Sequence, residues 1–344
     1  MTGKDQEKLH SKRAVVGFDG AVDTLVRVVK TAGTGETERD GSEYYTSLSG
    51  FGRELAEHQG KNCSFELKKI REHFGGNAPN VAHALSRLGV DAICIGTMGE
   101  PELHPAFLEA SCRKISYGYP ASTLALEFED GKTFLEQNPD QPDAWEKIRQ
   151  QLTRENESAE ELFRNADLTA MVNWSELSYA GKLWEDVFDC CFAESPADFS
   201  KYMFFDLCDV SRRKEEECRK ILRLMAQFSK KRRTVLGLNR NEAERIGQIL
   251  GAGKDTEEIC RKLQAEYGIG EIVVHSGKEN LLFAGEGDIV KEAVSPVEHP
   301  AVLTGAGDHF SAAYCSALLM GEKAKDRLHF ATEYAGEYVR TGKE

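Results

Sequence analysis

Leu303-Thr304-Gly305-Ala306-Gly307-Asp308-His309-Phe310-Ser311-Ala312-Ala313-Tyr314 sets a glycine turn directly before a helical pattern, with a carboxylate at the junction. Amides at the start of a helix have no partner within it and face the positive end of its dipole, so they attract anions. Glycines at 305 and 307 remove the Cβ atoms that would keep a bulky phosphate away from that backbone. Asp308 is placed to take a proton from a hydroxyl that attacks the phosphate. It is equally a residue type favoured as a helix cap, and the turn alone does not decide between the two. Phe310, Ala313, Tyr314, Ala317 and Leu318 share one helix face and read as core.

Upstream, Gly75-Gly76-Asn77-Ala78-Pro79-Asn80-Val81-Ala82-His83-Ala84-Leu85-Ser86-Arg87-Leu88-Gly89 is the second sharp pattern. Pro79 suits a first helical turn, Val81, Ala84, Leu85 and Leu88 recur at helical spacing, and Gly89 is a stop. Val90–Gly96 follows as a strand, and a helix running into a strand is a parallel α/β signature. Elsewhere, strands are expected at Ala14–Phe18, Leu25–Lys30, Leu168–Val172, Tyr202–Leu207, Thr234–Leu238 and Glu271–His275. Helices are expected near 51–58, 143–164, 179–192, 211–224, 254–267 and 325–340. Asp130-Gly131, between Ser122–Phe128 and Lys132–Glu136, is a two-residue hairpin signal. Residues 1–13 are polar and expected to be frayed, and residues 14–344 to form one domain.

With 44 Lys and Arg against 57 Asp and Glu, the 344-residue chain carries a formal charge of −13, which argues against a nucleic-acid surface. A small phosphate ligand remains compatible, because local amides and a metal ion can hold it. Nine cysteines without CxxC or Cys/His spacing read as reduced thiols of a cytoplasmic protein. The first residues have no apolar core of a secretory signal, and no apolar run reaches a membrane span.

Together, Gly75–Gly89 and Thr304–Asp308 resemble the two signatures of the ribokinase/PfkB family of carbohydrate kinases, in order and about 230 residues apart. The resemblance implies a three-layer α/β/α sandwich with a mostly parallel central sheet and a small β lid. Lid segments are expected at about 24–50 and 122–136. It implies Asp308 as catalytic base, and Gly305, Ala306 and Gly307 as the anion hole for the transferring phosphoryl group. Asn239 and Glu242, in Asn239-Arg240-Asn241-Glu242, match an Asn-x-x-Glu motif that holds Mg²⁺ and the nucleotide phosphates, through water; helix capping explains the same residues. Ser276 and Gly277 match the strand-turn of the ATP pocket, with a plain hairpin as the alternative. Asn280 stands where a second glycine is common, and Asn tolerates a positive φ in a turn. Asp23, Gly76, Asn77 and Asn80 match the sugar-binding edge, with Asp19 competing against Asp23 and Asn173 a looser match. Leu303 departs from the family's usual Asp, which helps hold a monovalent cation in some relatives.

The implied activity is transfer of the γ-phosphate of ATP to a hydroxyl of a sugar-like molecule, with Mg²⁺. A nucleoside kinase on the same scaffold and a non-catalytic sugar or nucleotide sensor are the alternatives. The expected partners are the sugar-like substrate and ATP, with neither nucleic acid nor membrane, and a second copy pairing through the lid. Gly251-Ala252-Gly253-Lys254 imitates a phosphate loop, but Gln248 stands where its first glycine belongs. Gly305-Ala306-Gly307 imitates a dinucleotide fingerprint, but Phe310 takes the third glycine's place.

Overall fold

In the computed structural model, which describes residues 8–31, 42–285 and 287–343, the first strand is apolar at every position after Arg13. A strand buried on both faces needs that composition, and Val15 and Val16 enter separate hydrophobic cores on opposite sides of the sheet. The strands are β1 (Arg13–Gly17), β2 (Ala21–Thr31), β3 (Glu43–Tyr44), β4 (Leu67–Gly75), β5 (Asp91–Gly96), β6 (Arg113–Ser116), β7 (Ala121–Phe128), β8 (Gly131–Gln137), β9 (Leu168–Met171), β10 (Tyr202–Asp206), β11 (Arg233–Asn239), β12 (Glu271–His275), β13 (Glu279–Phe283) and β14 (Ile289–Ala293). The α-helices are α1 (Leu48–Glu57), α2 (Asn77–Arg87), α3 (Ala144–Arg154), α4 (Ala159–Asn165), α5 (Ala180–Val187), α6 (Glu215–Ser229), α7 (Arg240–Leu250), α8 (Thr256–Tyr267), α9 (Ala306–Met320) and α10 (Ala324–Thr341).

Nine strands form the main sheet in the order β14-β13-β12-β11-β10-β9-β1-β5-β6. From β6 to β12 every pairing is parallel, and β13 and β14 close one edge as an antiparallel hairpin. Helices α2, α9 and α10 pack on one face through Val81, Leu85, Tyr314, Leu318 and Leu328. Helices α3 to α8 cover the other through Trp145, Trp184, Met225, Ile246 and Ile259. The chain is a three-layer α/β/α sandwich, and its phosphate-turn and Asn-x-x-Glu stretches lie at the carboxyl ends of the strands, where open α/β sheets bind ligands.

The second sheet is five-stranded, in the order β3-β2-β7-β8 with β4 also paired to β2. Residues 32–41 of the expected lid segment 24–50 lie outside the described residues. The stretch that separates β1 from Gly75 supplies β2, β3, α1 and β4, so the length of that segment builds this sheet and its cover. Helix α1 packs Phe51 onto Phe128, Tyr45 and Phe65, over a small core of Val26, Val28, Leu126 and Phe128. Asp130 accepts a hydrogen bond from the Leu48 amide at 2.9 Å, which pins the hairpin to the start of α1. Arg212 ties the sheet back to the main domain, 3.3 Å from Glu136 on β8.

Several expected boundaries move, each for a local reason. The helix expected over 143–164 is two, α3 and α4, because Asn156 takes a left-handed φ of 60° and Ser158 caps a new helix. In the hairpin Phe128 pairs with Gly131, so Glu129 and Asp130 make the turn instead of Asp130-Gly131. The expected fraying of 1–13 holds for none of the described part, since Leu9 is fully buried and Arg13 already pairs in β1. Residues 1–7 lie outside the described residues. Among the described residues no helix is long and apolar enough to cross a membrane.

The two cores should respond independently. Phe205→Ala, in the fully buried main core, is expected to cost about 3–5 kcal/mol of global stability in urea unfolding. Phe51→Ala should leave that midpoint nearly unchanged and speed amide exchange in residues 43–58 and 121–137. A global loss of similar size from both variants would show that the second sheet has no core of its own.

Candidate active site

Two helix starts face each other across the mouth of the main sheet. At α9, Gly305 is the N-cap with φ 85°, and Ala306, Gly307 and Asp308 form the first turn. Asp308 is therefore the third residue of the helix and not its cap. At α2, Gly76 is the N-cap with φ 95°, followed by Asn77 and Asn80. The Asn77 Nδ2 donates to Asp308 Oδ1 at 2.9 Å, and the Asn80 Nδ2 donates to Oδ2 at 2.9 Å. Both signature stretches thus meet on one carboxylate, which is only 7% exposed. Burial pushes Asp308 well above the usual carboxylate range, and the nearby Asp206 and Asp19 charges add to it. The Asn80 and Asn77 amides oppose that shift.

Asp19 and Asp23 separate cleanly. Asp19 is 4% exposed and accepts from the Asn77 and Ala78 backbone amides at 2.8 and 2.7 Å, and from Asn173 Nδ2 at 2.8 Å. It caps α2 in place of the side chain that Gly76 lacks. Burial raises its pKa despite these donors. Asp23, half-buried on β2, lies against Gly75, where a Cβ would come 2.3 Å from its Oδ2. Gly75 is required by that approach. Asn173 is turned toward Asp19 and Glu176, its Nδ2 reaching the Glu176 carboxylate at 3.3 Å, and so braces the floor of the site.

On the far side of the Gly305–Gly307 turn opens a cavity of about 990 Å³. Asn239, Ser276, Gly277, Ala306 and Gly307 line it, together with His275 and Phe310. A Cβ at Gly307 would meet the His275 ring at 3.2 Å, so this glycine lets the turn lie directly on β12. Burial lowers the His275 pKa to about 4, which keeps the imidazole neutral near pH 7. Ser276 uses its hydroxyl within the turn, donating to the Glu279 carbonyl at 2.8 Å. Asn280 is not in the left-handed turn anticipated for it. It lies within β13, accepts from the Ser276 amide at 2.8 Å and donates to Thr332 at 2.9 Å, fastening the turn to α10.

Glu242 does not line the cavity; it stands behind Asn239 in a reciprocal capping box. The Asn239 amide donates to Glu242 Oε2 at 2.8 Å, and the Glu242 amide donates to Asn239 Oδ1 at 3.0 Å. Burial and the Asp206 charge push Glu242 up to about 9. Burial likewise pushes Asp206 up to about 6, against a hydrogen bond from the Cys208 amide. Buried carboxylates that resist ionising beside a phosphate cavity suit a divalent cation nearby. Among the described residues no three His, Cys, Asp or Glu side chains are grouped to hold a metal directly. Asp206 and His275 are not singled out by residue type or spacing; they end β10 and β12 at the sheet's carboxyl edge, and that position is the signal.

The model of the prokaryotic ketohexokinase family matches residues 4–344. A ketohexokinase from Haloferax volcanii is 24% identical over 98% of this chain and 89% of that protein. Among solved structures, an adenosine kinase from Sinorhizobium meliloti superposes with a TM-score of 0.64 at 16% identity, covering 96% of this chain and 94% of that one. Arabidopsis thaliana ribokinase complexed with ribose and ATP gives a TM-score of 0.61 at 16% identity, covering 96% and 93%. With a family match over nearly the whole chain, and with both signature stretches meeting at Asp308, the chain belongs to the prokaryotic ketohexokinase family of ribokinase-fold carbohydrate kinases.

Proposed function

We propose that this ATP-dependent carbohydrate kinase phosphorylates a ketohexose, held between the second sheet and the start of α2. One observation carries the site assignment: Asn77 and Asn80 both hold the Asp308 carboxylate, which follows directly on Gly307 in the cavity lining. The ketose itself is supported by the family and by the Haloferax relative.

A hydroxyl arriving beside Asp23, Gly76 and Asn77 meets an oxygen acceptor in Asp308. Asp308 takes the hydroxyl proton while the oxygen forms its bond to the γ-phosphorus and the bond to the departing ADP oxygen breaks. The amides of the Gly305-Ala306-Gly307 turn face the charge that develops on the transferring group. Asn77 and Asn80 occupy one lone pair on each Asp308 oxygen and leave the others for substrate. Asn239 and Glu242, with Asp206 beside them, are the residues that would hold Mg²⁺ through water. When bound, the ion offsets phosphate charge as a Lewis acid. The second sheet acts as a lid that excludes water and so limits ATP hydrolysis. We place the reaction in the cytoplasm, which suits nine free thiols.

A panel of ketohexoses, aldoses, sugar acids and nucleosides with Mg-ATP, read by ADP release, tests the substrate. A nucleoside or aldose turned over better than every ketohexose would reject the ketose reading. Asp308→Asn should lower turnover by roughly 10²-fold or more while nucleotide binding survives. Wild-type turnover in that variant would remove Asp308 as base.

The raised pKa sets a pH dependence. The base works only when ionised, so kcat/KM should fall as pH drops through a value above the usual carboxylate pKa of about 3.9. Asn80→Leu removes a donor that favours the ionised form, and the acid limb should move to higher pH. An unmoved limb in the pH–rate profile would break the link between Asn80 and the base.

The second sheet leaves Leu67, Ile70, Phe134 and Leu135 between 40% and 54% exposed, which supports pairing with a second copy through the lid. Light scattering should then give twice the 38.3 kDa chain mass, and Phe134→Lys with Leu135→Lys should return it to one.

A further inference from the structure

The turn that carries the anion hole is fastened to the last helix by hydrogen bonds. The Ala301 amide donates to the Val339 carbonyl at 2.9 Å, and the Val302 amide reaches the same oxygen at 3.4 Å. The Tyr338 hydroxyl donates to the Thr304 carbonyl at 3.1 Å. The His309 Nδ1–H donates to the Gly305 carbonyl at 2.8 Å, an oxygen that also accepts the His309 backbone amide at 3.0 Å. The two side chains support each other: their rings stack with centroids 3.6 Å apart and planes 12° from parallel. His309 is 1% exposed, so its ring has no room to turn away.

Peptide planarity turns these contacts into control of the amides. In a trans peptide the C=O and the N–H of the same plane point in opposite directions. Fixing the Thr304 carbonyl fixes the Gly305 N–H, and fixing the Gly305 carbonyl fixes the Ala306 N–H, which closes the turn by donating to the Leu303 carbonyl at 3.3 Å. Gly305 sits at φ 85° and has no Cβ to restrain it, so the Thr304–Gly305 plane rotates easily without the Tyr338 contact. We infer that Tyr338 and His309 are positioning residues for the anion-hole turn: Tyr338 aims the Gly305 amide through the Thr304 carbonyl, and His309 holds the Gly305 carbonyl so that the Ala306 amide keeps the turn closed on Leu303. Neither lines the cavity. Their effect is preorganisation: dipoles already aimed when charge develops need no rearrangement at that moment.

The inference rests on the phosphoryl-transfer reading above, and the test separates the two. Tyr338→Phe keeps the stack and loses the hydroxyl bond. His309→Phe keeps the stack and loses the Nδ1 donor, while His309→Asn keeps a donor near the Nδ1 position. Turnover, the sugar KM, ADP affinity, and the tightening of ADP binding by aluminium fluoride, a mimic of the transferring group, are measured for each with Mg²⁺ present. Tyr338→Phe and His309→Phe should each lose about 10- to 100-fold in kcat, below the 10²–10³-fold cost of deleting a donor outright. Sugar KM and plain ADP affinity should change less than threefold, the fluoride tightening should largely vanish, and His309→Asn should recover much of the loss. A kcat within twofold of the parent in Tyr338→Phe overturns the inference, as does a parallel fall of ADP affinity and kcat, which marks a merely structural role. Should His309→Phe fail to fold, Tyr338→Phe decides alone. Asp308→Asn runs alongside: if it stays active the phosphoryl-transfer assignment fails, whereas an inactive Asp308→Asn beside a fully active Tyr338→Phe rejects only the brace.

Discussion

Two carboxamides holding one buried carboxylate set the terms for the rest of the molecule. For Asn77 and Asn80 to reach Asp308, helices α2 and α9 must begin at the same point above the sheet. That demand explains the glycines around them: Gly76 and Gly305 supply left-handed caps, Gly75 admits Asp23, and Gly307 admits His275. It also concentrates unfavourable charge. Asp19, Asp206 and Asp308 are all buried, and the charges of Asp19 and Asp206 further raise Asp308. A carboxyl whose folded pKa is raised holds its proton more tightly in the folded state, so its ionisation at neutral pH opposes folding. The two large cores on either side of the sheet must offset that cost, and the site is built from groups that a stability optimum would not choose.

Polar atoms without a catalytic part turn out to have structural ones. Asp19 is spent on the α2 amides, and Asn280 on the join between the Ser276 turn and α10. Such groups look like ligands in a sequence because the same chemistry serves both purposes: a carboxylate that accepts two backbone amides is the same residue that accepts two sugar hydroxyls. Only burial and partners separate them. Glu242 has a structural part too, since its capping box with Asn239 orients a residue that lines the cavity.

The parallel sheet was readable because strands buried on both faces, such as Ala14–Gly17 and Met203–Phe205, are continuous apolar runs between amphipathic helices. The phosphate turn was readable because glycine, acid and helix pattern coincide. Strand β4 was not, for a physical reason. Leu67-Lys68-Lys69-Ile70-Arg71-Glu72-His73-Phe74 spaces its apolar residues by three and four, and the register slips at Ile70. That spacing imitates a helix. The edge strands β6 and β14 were missed because short strands carry little periodicity. Asp206 and His275 were missed because a single polar residue after a strand has no pattern of its own; its meaning comes from the neighbouring strand ends. The brace from Tyr338 lay beyond reach altogether, since nothing in Ala324–Thr341 distinguishes one half-buried tyrosine from another until the fold brings Thr304 to it.

The Asn77–Asp308 bond spans 231 positions of chain. Closing so long a loop costs entropy that only the completed sheet and both helical layers can repay. Helix α10, which steadies the turn, follows every strand in chain order. A nascent or partly unfolded chain therefore holds either half of the site without the other. The Asp308 site thus assembles last, after both helical layers and every strand are in place.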